Sequence, residues 1–295
     1  MSKYFYILAV VSLMACSNDD AEQPVTEKPT DEKTLVNLTT RGDDPVSNGQ
    51  LQAGLFMVNY REGQPDQMWA TNNYVNNQLL TWNNSGWSTE SPIYWNDMET
   101  PADFYAYAPY QAIVADARAM DFHVQTNQTT AIAFAQSDFL WGTVTGQNPT
   151  DNGFELYLNH LFSQITVVVT AGAGFEDGEL KSSDVAVTIG GSKTNCAIDL
   201  ATGQLTLKGT ANDVMCMNNG ALNYKAVLLP QQIPFANLIQ VNWKGNMYTL
   251  QNSIHLEAGR QYTLTVKLKK SKSGFDVGIE GWDIIDEDFG GVVGG

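Results

Sequence analysis

The sequence predicts an all-β protein built from two β-sandwich domains in tandem. Apolar and polar residues alternate with period two in many short windows, and Gly, Asn and Asp clusters separate those windows. No window offers a long amphipathic helix, so sheets rather than helices must bury the apolar residues.

Alternation is cleanest in the second half. Tyr262, Leu264, Val266 and Leu268 alternate with Thr263, Thr265, Lys267 and Lys269, the pattern of a strand with one buried face. Val185, Val187 and Ile189 repeat it, and residues 165–169 form a wholly β-branched run. Cys196, Ile198 and Leu200 pass through Ala201-Thr202-Gly203 into Leu205 and Leu207, which predicts a hairpin. Ile239, Val241 and Trp243 do the same through Lys244-Gly245-Asn246 into Tyr248 and Leu250. In the first half, strands are expected at 55–60, 75–82, 92–95 and 103–107, and one short helix at 111–120. The polar stretch 146–153 is the expected break, giving domains at 34–152 and 153–295.

The amino terminus has a different character. Lys3 precedes an uncharged apolar run, 4–14, that is too short for a permanent membrane span. It closes on Leu13-Met14-Ala15-Cys16, which resembles the lipobox of bacterial lipoproteins. Residues 1–15 are thus expected to be a signal peptide, and the Cys16 thiol to receive a diacylglycerol. Residues 16–33, rich in Glu, Pro, Thr, Asp and Lys, have little apolar surface to bury and should form a disordered tether. The mature chain would be lipid-anchored and otherwise soluble.

Composition excludes several functions. With 16 Lys and Arg against 32 Asp and Glu, the formal charge is −16, and such a chain repels phosphate backbones. His123, His160 and His255 stand apart, without zinc-site spacing. Asp283, Asp286, Glu287 and Asp288 lack the glycine of a calcium loop. His160 and Ser163 have no nucleophile-elbow context and are expected to form a satisfied polar pair. No catalytic residue, metal or cofactor is predicted. Besides Cys16, Cys196 and Cys216 remain, either as one disulfide or as two buried thiols.

An ordered set of segments resembles the fimbrillin family, the type V pilins and Mfa-like proteins of Bacteroidetes. After the lipobox come the tether and a first strand, 34–40, ending at Arg41; then Gly54-Leu55-Phe56-Met57-Val58 and Ser91-Pro92-Ile93-Tyr94-Trp95. Residues 103–110 (DFYAYAPY) follow, then Asp138-Phe139-Leu140-Trp141-Gly142 and 158–169 (LNHLFSQITVVV) with His160 and Ser163. Leu228-Leu229-Pro230-Gln231, 256–262 (LEAGRQY) and Ile279-Glu280-Gly281-Trp282 complete the set.

The resemblance implies two Greek-key, transthyretin-like sandwiches and a fimbrial subunit or fimbria-associated adhesin at the outer membrane and in the fimbrium. It also implies an arginine-specific protease that cuts after Arg41 and removes Cys16 with Leu35, Val36 and Leu38. Other pilin subunits would then be joined by β-strand exchange, and a host protein or glycan bound. Ile284, Ile285, Phe289, Val292 and Val293 could anchor a donor strand, or the carboxyl end could be a frayed tail. Stalk, tip and anchor positions all stay open. The alternative function is a surface carbohydrate-binding lipoprotein, suggested by Trp69, Trp82, Trp87, Trp95 and Trp141 among many Asn and Tyr residues.

Overall fold

In a computed structural model of the chain, the described residues are 34–39, 52–82, 86–270 and, for the backbone, 277–288. The expected signal peptide, Cys16, the expected tether and Arg41 lie outside them. The first half contains β1 (Leu38–Thr39), β2 (Gln52–Asn59), β3 (Val75–Trp82), β4 (Trp87–Ser88), β5 (Ala102–Ala108) and β6 (Met120–His123). A helix, α1 (Ala131–Ser137), precedes β7 (Leu140–Gln147), β8 (Phe154–Glu155) and β9 (Asn159–His160). The second half contains β10 (Ser163–Ala171), β11 (Val185–Asp199), β12 (Gln204–Met215), β13 (Met217–Asn218) and β14 (Asn223–Leu228). It ends with β15 (Gln231–Trp243), β16 (Asn246–Leu256), β17 (Arg260–Lys270) and β18 (Val277–Asp288).

The protein is an all-β sandwich. In the second half, a sheet ordered β13-β14-β10-β17-β18 faces one ordered β12-β11-β15-β16. The alternating residues point as expected. Tyr262, Leu264, Val266 and Leu268 are buried with Val185, Val187, Ile189, Val241 and Tyr248 in one core between these sheets. The β-branched run lies in β10, flanked on one side by antiparallel β14 and on the other by parallel β17. Both predicted hairpins form, as β11–β12 and β15–β16.

The first-half sheet is ordered β4-β3-β2-β5-β7-β9 and is covered on both faces. Leu55 and Met57 of β2, with Phe104 and Ala106 of β5, enter one core. Phe56, Val58, Tyr105 and Tyr107 enter another. Two-sided burial explains why these strands read as continuous apolar runs and not as alternation. The second of these cores also takes Cys196, Ile198, Leu200, Val227 and Leu229 from the second half. Its centre is aromatic: Phe122 meets Phe139 edge-on with ring centroids 4.9 Å apart, and Phe139 stacks on Tyr107 at 5.7 Å.

Sheet pairing and polar contacts also cross between the halves. β6 pairs antiparallel with β11, Cys196 opposite Phe122. Arg118 grips Asp199 in a two-pronged ion pair, Nε–Oδ1 2.8 Å and Nη2–Oδ2 2.9 Å. The Gln128 amide donates to the carbonyl of Val227 and accepts from its N–H, each at 2.8 Å.

Two local expectations differ from the structure. Residues 111–120 are not helical, because the Ala117 N–H donates to Ala70 and its carbonyl accepts from Leu200, leaving no helical partner. Ile113 there is 83% exposed. The helix instead falls at Ala131–Ser137, where the Thr130 hydroxyl accepts from the Ala133 N–H. Residues 92–95 make a bridge through Tyr94 and no strand, since Pro92 lacks an N–H and the segment meets only the first strand.

Candidate strand-exchange groove

Residues 34–39 lie in a slot between two backbone segments. On one side Leu35 bridges Tyr94 in antiparallel sense, the Val36 N–H donates to Ile93 (2.8 Å) and the Trp95 N–H donates to Thr34 (2.9 Å). On the other, β1 pairs in parallel with β8, and the Phe154 N–H donates to Asn37 (3.1 Å). The floor is aromatic. Trp95 meets Phe104 edge-on at 5.5 Å, and Phe104 meets Phe154 at 4.6 Å. Val36 and Leu38 are half-buried on this core, while Leu35 is 46% exposed. Of Leu35, Val36 and Leu38, therefore, only the last two anchor the strand. The pairing partners 93–95 and 154–155 are too far along the chain to be found by periodicity.

The motif 138–142 builds one wall of this region. Asp138 pairs with His160 Nδ1 at 2.8 Å, Phe139 enters the aromatic junction, and Leu140 joins the groove core. Trp141 donates its indole N–H to the carbonyl of Leu200 at 2.8 Å. Gly142 lies directly under Tyr157, whose carbonyl oxygen would sit 1.7 Å from any Cβ placed there. Only glycine permits the 154–160 segment to cross β7 so closely.

His160 and Ser163 do not pair with each other as expected. His160 binds Asp138, and the Ser163 hydroxyl donates to the carbonyl of Glu257 at 2.7 Å. Cys196 and Cys216 are free thiols buried in different cores. Burial pushes the Cys196 thiol up to about 12 and raises that of Cys216 as well. The tryptophans form no flat exposed row. Trp95 is buried, Trp141 is tied to Leu200, and Trp82 packs edge-on against Trp87 at 5.6 Å; Trp69 is 47% exposed.

The turn after Trp95 is fixed by Asp97, whose Oδ1 accepts from the N–H groups of Glu99 (2.9 Å) and Thr100 (2.6 Å). The Glu99 N–H, then the Thr100 hydroxyl and N–H, hold its carboxyl at about 2. Since this lies below the unfolded value of about 3.9, the stabilisation is present above pH ~4 and is lost as pH falls toward 2. We expect amide exchange at Glu99 and Thr100 to accelerate over that window, and Asp97→Asn to flatten the response. Equal acid sensitivity in both proteins would contradict this assignment.

A family model described as fimbrillin-like matches residues 40–282. The chain belongs to the fimbrillin-like family. As a fimbrillin-like protein it is a structural subunit of a surface fimbrium and not an enzyme. Among curated proteins, none matches it in sequence. Among solved structures, a cell-adhesion candidate from Bacteroides uniformis is similar in fold, with TM-score 0.64 and 19% identity over 89% of this chain and all of that one. A second cell-adhesion candidate, from Bacteroides ovatus, has TM-score 0.64 and 15% identity over 88% of this chain and 98% of that one. A fimbrial protein from Bacteroides vulgatus has TM-score 0.51 and 13% identity over 87% and 99%. At these identities the neighbours speak for the shared fold of the fimbrillin-like chain.

Proposed function

We propose that this fimbrillin-like subunit is exported as a lipoprotein on Cys16, cut after Arg41 by an arginine-specific protease, and polymerised by β-strand exchange. The observation that carries this reading is the seat of residues 34–39. The segment is held by hydrogen bonds to Ile93, Trp95 and Phe154, a two-residue parallel ladder with β8 and two half-buried anchors, and it sits over an aromatic floor. Its departure would strip the Trp95 N–H and the Ile93 carbonyl of these partners beside exposed apolar surface, which is the condition a donated strand relieves. Such an interface is heterologous and does not close, so it builds a filament. In this reading residues 34–152 and 153–295 form the two lobes of each subunit, and the lipid is a delivery handle lost with the first strand.

The carboxyl-terminal segment is the proposed donor. Its backbone is a strand through Asp288, at the edge of its sheet and paired with β17 alone. This favours the strand over the frayed-tail alternative for residues 283–288. To test the proposal, the purified precursor and an Arg41→Ala variant are treated with an arginine-specific protease. Wild type is expected to lose its first 41 residues and give ladders or filaments, and the variant neither. Clean cleavage at Arg41 followed by a persistent monomer, with no partner subunit able to polymerise it, would sink strand exchange.

A further inference from the structure

Beside the first strand lies a recess of about 280 Å³ whose lining includes Tyr74, Asn76, Gln78, Pro92 and Tyr94. Its chemistry is unlike that of the strand groove. Tyr74 is 45% exposed and Tyr94 36%, so two aromatic side chains with phenolic hydroxyls face solvent at its walls. The Asn76 side-chain N–H groups add donors and the Gln78 side-chain carbonyl an acceptor, the Asn76 oxygen and the Gln78 nitrogen being already engaged by Asn73 and Thr89. An open recess with aromatic faces and side-chain amides suits a ligand having C–H faces and a ring of hydroxyls. It suits poorly an apolar peptide, which would leave those amides unpaired, or a highly charged ligand, since none of these residues carries a charge.

The walls are held rigidly. Asn73 accepts from the Trp69 N–H (2.9 Å) and donates to the Trp69 carbonyl and to the Asn76 side chain (both 3.0 Å), fixing the loop that presents Tyr74. Gln78 donates to the Thr89 hydroxyl at 2.7 Å. Ile93 and Trp95, on either side of Tyr94, are each bonded to the first strand. A site with its backbone fixed before binding loses little ordering entropy on occupation.

We infer that this recess is a carbohydrate subsite for a single neutral pyranose ring, stacked on the more exposed Tyr74 and bonded by Asn76 and Gln78. Its volume sits near the lower end of small-molecule sites, about 300 Å³, which limits it to one sugar ring or the end of a glycan. The recess is described with the first strand seated, so the uncut protein is the sample for its test, and the inference does not rest on cleavage at Arg41 or on strand exchange.

Saturation-transfer NMR on the full chain, with methyl α-D-mannopyranoside, methyl β-D-galactopyranoside, N-acetylglucosamine and L-fucose as probes, reads binding directly. At least one sugar is expected to bind in the millimolar range, on the order of 1 mM. Tyr74→Ala and Asn76→Ala should each weaken it, the former roughly tenfold. Both substitutions are on the surface rim, and circular dichroism confirms that each variant is folded. Phe235→Ala removes an aromatic that is 70% exposed and outside the recess, and should leave binding intact. Failure of all four sugars to bind, binding that persists in Tyr74→Ala, or binding lost equally in Phe235→Ala would overturn the inference.

Discussion

Replacing Val36 and Leu38 together by Asp unseats the first strand while the sheets stay folded. Seating that strand is a near balance. The bonds to Ile93, Trp95 and Phe154, the short β1–β8 ladder and two half-buried side chains, each contact at about 1 kcal/mol, together give roughly 5–7 kcal/mol. Ordering six residues costs about 1 kcal/mol each, roughly the same total. Two carboxylates in place of the anchors remove the apolar gain and add a desolvation cost, so the bound state becomes the minor one. The expected readout is a several-fold rise in binding of the dye ANS, which reports exposed apolar surface, with unchanged far-ultraviolet circular dichroism. After cleavage at Arg41 the variant should also assemble without the lag imposed by strand release. Dye binding equal to wild type would show that the strand is not held by these anchors. Leu35→Asp is the internal control, because that side chain faces outward.

Gly142→Val has the larger effect on stability. Any Cβ at this position would lie 1.7 Å from the Tyr157 carbonyl oxygen and 2.8 Å from its carbon, and both are backbone atoms that no rotamer change can move. Accommodation requires lifting the 154–160 segment from β7, with Phe154, Leu156 and Leu158, all buried in the groove core. Overpacking of this kind costs about 3 kcal/mol or more, and here it also breaks the β1–β8 pairing. The thermal midpoint should fall by several degrees, with Gly142→Ala intermediate. A midpoint within a degree of wild type would mean that the crossing segment is not as close as the structure places it.

Much of the second half was legible because its strands bury one face. Tyr262, Leu264, Val266 and Leu268 announce their direction through the threonines and lysines between them, and the hairpins through Gly203 and Gly245. The first-half strands were legible in position but not in packing, since Phe56 and Met57 are both buried, on opposite faces. The helix was misplaced because apolar spacing at 111–120 says nothing of the long-range partners that engage Ala117. His160 and Ser163, three residues apart, bind groups 22 and 94 positions away. Such contacts are set by topology and have no local signature. The first strand itself was recognisable, but its partners Ile93, Trp95 and Phe154 were not. Likewise the aromatic count in the first half drew attention to tryptophans, whereas the exposed recess is walled by Tyr74 and Tyr94.

Amide exchange at Trp95 and Phe154, followed before cleavage at Arg41, immediately after it and in the assembled polymer, tests strand exchange most directly. Both amides donate to the first strand in the intact chain, so they should begin protected. They should exchange at least tenfold faster in the freshly cut monomer and recover protection once a neighbour's strand fills the slot. Protection that is unchanged by cleavage, or that stays lost in the polymer, would contradict the assignment of this groove as the acceptor.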